Sequence, residues 1–167
     1  VGYMKDKANK VQYCLFFLLA MCGNFGLILA QDLFGFITFF TLMSLSSYGL
    51  VIHTADDAAR KAAKTYVQWV DIGEVILFAG LTVLAYSSGA ISEAASSTTQ
   101  AYWVTLFLVA GFGVKLGLIP FHVWLPRAHP AAPVPASALL SGVMVKAGLI
   151  GWVRFLPLGD TAISSIG

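Results

Sequence analysis

Gly111-Phe-Gly-Val-Lys115-Leu-Gly117-Leu-Ile-Pro120-Phe-His122 places a lysine, a proline and a histidine inside an otherwise apolar run over residues 101–126. A bilayer core of about 30 Å takes about 20 helical residues, so this run is long enough to cross it. Within it, Pro120 removes one backbone hydrogen bond and clashes with the carbonyl four residues earlier, that of Leu116. A helix broken near Pro120, with Gly117 in the same stretch, is therefore expected beside Lys115. Irregular backbone at membrane depth is tolerated only where protein packs around it or where it lines a water-filled cavity. A buried lysine at a helix break predicts a hydrated transport site, whereas a proline kink by itself predicts nothing.

The rest of the chain has the same character. Of its 167 residues 58% are hydrophobic and 11% charged, and the mean hydropathy is +0.81. Water-soluble domains are about 45–50% apolar and about 25% charged, so an all-α integral membrane protein is expected. The net charge of +2 is too weak and scattered for a nucleic-acid surface. Cys14 and Cys22 lie in an apolar run without nearby His or Cys partners, which points to neither a disulfide framework nor a metal site. Disordered, collagenous and disulfide-scaffold classes are excluded. The first residue is Val and no cleavable signal peptide is visible, so the chain reads as a fragment of a longer subunit.

Hydropathy divides residues 1–167 into one transmembrane domain with helices at about 11–30, 33–53, 65–86, 101–126 and 136–156. Between the second and third spans, residues 54–64 read as a short surface helix capped by Thr54, with Asp56 and Asp57 in its first turn. Ser87 to Gln100 reads as an exposed loop, and His129 to Pro135 as an extended connection. Five crossings put Lys5, Lys7, Lys10, Arg60, Lys61, Lys64 and Arg127 on one side and Arg154 on the other, which assigns the N-terminus to the cytoplasm. No water-soluble domain remains outside the spans. Any cofactor or redox centre is expected on other chains.

Four ionisable residues lie far from helix ends: Lys115, Lys146, Glu74 and, one turn before it, Asp71. Each such charge costs at least about 2.5–3.5 kcal/mol at the bilayer centre, so they are expected to face one another or a wet cavity. A structural ion pair between Glu74 and one lysine is the simpler alternative, but it leaves the other lysine uncompensated. Lys64, Gln68, Asp71 and Glu74 recur at helical spacing, and Thr38, Thr41, Ser44 and Tyr48 form a hydroxyl-bearing stripe on the second helix. Such hydroxyls often just bond the preceding turn of their own helix. Desolvation and a second cation favour a neutral amine, while a carboxylate or water favours the charged one, so the protonation of Lys115 is expected to follow its neighbours. His122, two helical turns past Lys115, can both accept and donate a proton. His53 and His129 lie at helix ends and read as solvated or backbone-bonded.

The run from Gly111 to Gly151, including Pro126-Arg127-Ala-His129-Pro130 and Val145-Lys146-Ala-Gly148, closely resembles the antiporter-like subunits of respiratory complex I, Mrp-type antiporters and energy-converting membrane-bound hydrogenases. Leu42-Met-Ser-Leu-Ser-Ser-Tyr48, Gly73-Glu74 and Arg127 look most like the hydrogenase-associated branch. The resemblance implies an inverted-repeat fold of about fourteen helices, of which these five form the first repeat. By resemblance Lys115 matches the central proton-carrying lysine, Lys146 the linking lysine and His122 a relay histidine. After Phe39-Phe40 such subunits generally carry a glutamate that pairs with the lysine of the broken helix. Here the position is Thr41, which holds no charge, so Glu74 is expected to take over the carboxylate role.

The function so implied is proton translocation by a non-catalytic membrane subunit of a redox-driven complex of the hydrogenase or NADH:quinone oxidoreductase type. Its proton-transfer residues are Lys115, Lys146, His122, Glu74 and Asp71. Its partners are other membrane subunits, a redox arm and the lipids of an inner or equivalent energy-coupling membrane, with no nucleic acid. Two alternatives stand beside it: a sodium/proton antiporter subunit using the second-helix hydroxyls with Asp71 and Glu74, and a non-pumping scaffold, favoured by Thr41.

Overall fold

The computed structural model describes residues 10–54, 56–89 and 98–156. Among these, α1 (Lys10–Leu29), α2 (Leu33–Val51), α3 (Asp57–Gly89) and α4 (Thr98–Leu116) are followed by three shorter helices. These are α5 (Leu125–Ala131), α6 (Val134–Leu139) and α7 (Val145–Phe155). A 3-10 turn over Phe121–Trp124 leads into α5, and a single π turn over Leu140–Met144 joins α6 to α7. Five stretches are long and apolar enough to cross a membrane: Lys10–Leu29, Leu33–Thr54, Asp57–Tyr86, Tyr102–Ala131 and Val134–Phe155. The expected all-α architecture with a broken fourth span is therefore the observed one.

Two local expectations are corrected. Residues 57–64 do not form a separate surface helix, because α3 runs unbroken from Asp57. Asp57 suits the first turn, and the alanine-rich Ala58-Ala-Arg-Lys-Ala-Ala-Lys64 contains only good helix formers and no breaker, so the segment continues the third span. The cap is Asp56 and not Thr54: the Asp56 carboxylate accepts from the Ala59 amide at 2.6 Å. His129 to Pro135 is not extended either. His129, Pro130 and Ala131 belong to α5, only Ala132 and Pro133 leave helical geometry, and Pro135 sits in the first turn of α6, where a missing N–H costs nothing. Of the expected loop at 87–100, residues 87–89 and 98–100 are helical and the remainder lies outside the described residues.

Helices α1 and α2 pack side by side, α3 packs on α4, and α4 on α7. The α3–α4 contact is close because of Gly111: a methyl group there would lie 2.7–2.9 Å from the Cβ, Cα and N of Leu77. Small residues at such points let membrane helices approach backbone to backbone. Phe36, Phe40, Phe112 and Phe155 meet in the centre, with Phe36 edge-on to Phe155 at 4.9 Å and to Phe112 at 6.1 Å. Arg154 donates to the carbonyl of Ala30, tying the end of α7 to the end of α1. Large apolar side chains such as Val11, Leu18, Leu29 and Phe34 point outward. On a soluble protein these would form a sticky surface, whereas spans in a membrane carry such side chains toward lipid or neighbouring helices.

Candidate functional site

Two charged side chains, Lys115 and Glu74, are buried among the described residues, 2% and 8% exposed. Helix α2 passes alongside both and gives each a partner. Lys115 Nζ donates to Ser44 Oγ at 2.5 Å and lies 5.1 Å from the centre of the Phe40 ring, a cation–π contact. The Ser44 hydroxyl donates to the Phe40 carbonyl at 2.9 Å, which leaves its oxygen free to accept from the ammonium. Thr41, one turn earlier on α2, donates to Glu74 Oε2 at 3.1 Å. The other carboxylate oxygen, Oε1, is buried and has no hydrogen-bond partner. Lys115 and Glu74 are thus each met by a hydroxyl of α2, on residues three apart in that helix.

The break in the fourth span follows directly after Lys115. Gly117 takes φ +68°, a left-handed conformation that glycine adopts without the Cβ penalty. The Leu118 amide donates to the Gly113 carbonyl at 2.9 Å and the Gly117 amide to the Val114 carbonyl at 3.1 Å. This pair of bonds is the Schellman arrangement, which satisfies carbonyls that the ended helix leaves open. The helix therefore stops at Leu116 through Gly117, and Pro120, preceded by a cis peptide bond, prevents its immediate resumption. Trp124, beyond the break, reaches back: its indole N–H donates to the Val114 carbonyl at 2.8 Å. Its ring meets that of Tyr66 edge-on at 5.3 Å, and the Tyr66 hydroxyl donates to the Ser44 carbonyl at 3.2 Å.

The structure brings Lys115, Glu74, Thr41 and Ser44 together but leaves other expected residues apart from them. Asp71 and Lys146 are exposed on this five-span unit. Lys146 lies beside Ala147 and Gly148, which are buried, and α7 packs against α4 through Gly148 near Leu116. His122 is exposed in the 3-10 turn past the break; the two-turn spacing from Lys115 does not apply because helical periodicity stops at Leu116. His129 Nδ1 is bonded to Ser137 Oγ at 3.0 Å. Of the hydroxyl stripe, Thr38 bonds only the Phe34 carbonyl of its own helix. Lys64 and Gln68 line a cleft of about 940 Å³ with Lys61, Thr65 and Arg127, near the basic ends of the spans.

Tyr66, Trp124 and Ser47 went unremarked in the sequence, although all three are buried polar groups near Lys115 or α2. The signal for Tyr66 was its position four and eight residues before Val70 and Glu74, on their face of α3. The Ser47 hydroxyl bonds the Met43 carbonyl at 2.6 Å and lies 2.7 Å from the sulfur of Met144 in the π turn.

Residues 30–166 match the protein family described as NADH:quinone oxidoreductase/Mrp antiporter, transmembrane. The chain is 37% identical over 159 residues to hydrogenase-4 component B of Escherichia coli (strain K12), covering 91% of this chain and 24% of that protein. It is 34% identical over 161 residues to an NAD(P)H-quinone oxidoreductase chain 4 of Microcystis aeruginosa, covering 92% and 29%. Among solved structures, the archaeal membrane-bound sulfane sulfur reductase superposes with a TM-score of 0.77 at 27% identity, over 98% of this chain and 36% of that one. The Mrp complex from Dietzia sp. superposes at 0.72 and 26% identity, over 83% and 28%. The chain thus spans about a quarter to a third of the length of these relatives.

Proposed function

Since the chain belongs to the NADH:quinone oxidoreductase/Mrp antiporter transmembrane family, we propose that it is the part of a membrane subunit that carries protons across an energy-coupling membrane. Lys115 is the carrier. Glu74 biases its protonation from the neighbouring helix, and protons pass by water, with His122 and Asp71 on the approaches, toward Lys146. The driving force comes from a redox arm on other chains, and the basic span ends, with the N-terminus, face the cytoplasm. The chain itself makes and breaks no covalent bond other than those to protons.

The observation that carries this reading is the Thr41–Glu74 hydrogen bond. By resemblance, position 41 is where a glutamate is expected to face the lysine of the broken helix. Glu74 brings its carboxylate to that same turn of α2. A lysine and a carboxylate that each rest on a separate hydroxyl can change their mutual interaction through small shifts, whereas a closed ion pair is fixed. The scaffold reading draws on Thr41 alone, and the placement of Glu74 weakens it.

The test uses the full-length subunit in its complex, reconstituted in proteoliposomes. Lys115→Ala is expected to abolish coupled proton uptake while electron transfer by the soluble arm continues at a reduced rate. Uptake at the wild-type rate in that variant refutes the proposal in favour of a scaffold.

A further inference from the structure

We propose that Tyr66 and Trp124 form a bracket across the break in α4 that holds Lys115 against Ser44, making both aromatic residues positioning residues for proton hand-over. The inference rests on the reading of Lys115 as the carrier and extends it to residues outside the acid and base pair. Its geometric content is a closed circuit of contacts. Lys115 reaches Ser44 Oγ at 2.5 Å, and the Ser44 carbonyl accepts from Tyr66 at 3.2 Å. The Tyr66 ring meets Trp124 at 5.3 Å, and Trp124 returns to the Val114 carbonyl, one residue before Lys115, at 2.8 Å.

Each part of the circuit is buried: Tyr66 and Trp124 are 1% exposed, Ser44 and Lys115 2%. The circuit joins three segments: α2 through Ser44, α3 through Tyr66 and the chain beyond the break through Trp124. Lys115 is the penultimate residue of an ended helix, where the last carbonyls lack the usual intrahelical partners. The Val114 carbonyl takes one bond from Gly117 and a second from the indole, so the turn carrying Lys115 is clamped from the far side of the break. On the near side, Tyr66 fixes the turn of α2 that presents the accepting hydroxyl. Loss of either contact lets Lys115 and Ser44 separate, and a proton transfer that depends on hydrogen-bond reach slows steeply with small displacements.

The test compares Tyr66→Phe, Ser44→Ala and the double variant in the full-length subunit within its complex. Tyr66→Phe keeps the ring against Trp124 and removes one hydroxyl. Proton uptake per electron is expected to fall about three- to tenfold in Tyr66→Phe, the worth of one hydrogen bond. Its pH profile is expected to shift in the same direction as that of Ser44→Ala, and the double variant is expected to be no slower than Ser44→Ala alone. The charged groups that act on this pair are Glu74 on Lys115, and Glu74 with Asp71 on Tyr66, so both carboxylates are kept unchanged. Trp124→Phe, which keeps an aromatic ring but loses the N–H, is expected to give the same profile shift. A lower melting temperature with an unmoved pH profile, or additive losses in the double variant, overturns the bracket. Wild-type uptake in Tyr66→Phe beside abolished uptake in Lys115→Ala overturns it as well and leaves the carrier role standing.

Discussion

The hydroxyl of Thr41 donates to the carboxylate of Glu74 across 3.1 Å, from one helix to the next, in a span where an unpartnered acid would be costly. Ser44, three residues on along α2, receives Lys115. Three residues of helix rise about 4.5 Å, so the two hydroxyls that meet the acid and the base stand about one turn apart on α2. Helix α2 carries no Asp, Glu, Lys or Arg in its membrane-spanning part, yet it offers a hydroxyl to each of the two buried charges.

If the carboxylate has moved from α2 to α3, its position on α2 can be restored. Glu74→Gln is expected to cut coupled proton uptake about a hundredfold or more, the low end of what a positioned acid or base contributes. Adding Thr41→Glu to that variant is expected to recover a substantial part of the rate, because the new carboxylate arises at the same α2 turn. The measurement is proton uptake by reconstituted complex, normalised to electrons transferred. A Glu74→Gln variant that pumps normally disposes of the relocation.

Gly111 tests the packing that brings α3, and with it Glu74, against α4. A methyl group there meets the backbone and Cβ of Leu77 at 2.7–2.9 Å, and none of these atoms can move without moving the helix. Gly111→Ala is expected to destabilise the subunit by about 1–3 kcal/mol, the usual range for overpacking. Gly142, whose added methyl meets nothing within 4 Å, supplies the control. Thermal unfolding in detergent should separate the two, and equal melting temperatures would contradict the helix contact.

Gly117 tests the break. Its φ of +68° suits glycine and strains an alanine by about 1–2 kcal/mol. Gly117→Ala is expected to lower the melting temperature and slow proton uptake together, since the strain falls two residues from Lys115. Gly117→Asn is expected to lose less on both counts, asparagine tolerating this region better. Equal losses for alanine and asparagine would mean that bulk, and not backbone conformation, decides this position.

The spans, the break and the buried lysine were legible because apolar length and the Gly117-to-Pro120 stretch speak through local physics alone. The nearness of Glu74 to Thr41 was legible because a missing acid at position 41 called for another within reach. Helical arithmetic failed where the helix did: His122 is two turns from Lys115 only if the turns continue, and they stop at Leu116. Trp124 was hidden for the same reason, since its bond to Val114 runs backward across an irregular segment. The joining of residues 57–64 to α3 was missed because charge marks a surface but does not end a helix. Only a breaker or a competing cap does that.

The choice between proton and sodium can be tested, because few oxygens converge beside Glu74 among the described residues. A hard cation needs several oxygen ligands. Thr38, Ser46 and Ser47 donate to carbonyls of their own helix, Ser44 is taken up by Lys115, and Asp71 faces outward. The space beside Glu74 is about 10 Å³ and is walled by Ile37, Phe40, Leu77 and Phe78, with Thr41 the one other polar residue. That is room for about one water, which suits a proton path and not a coordinated cation. Proton uptake by reconstituted complex is therefore expected to be the same in sodium-free and sodium-containing buffer. Radioactive sodium should accumulate no faster in wild-type vesicles than in those carrying Glu74→Gln. Sodium uptake that is driven by electron transfer and lost in Glu74→Gln would make this an exchanger, with the carboxylate as a sodium ligand.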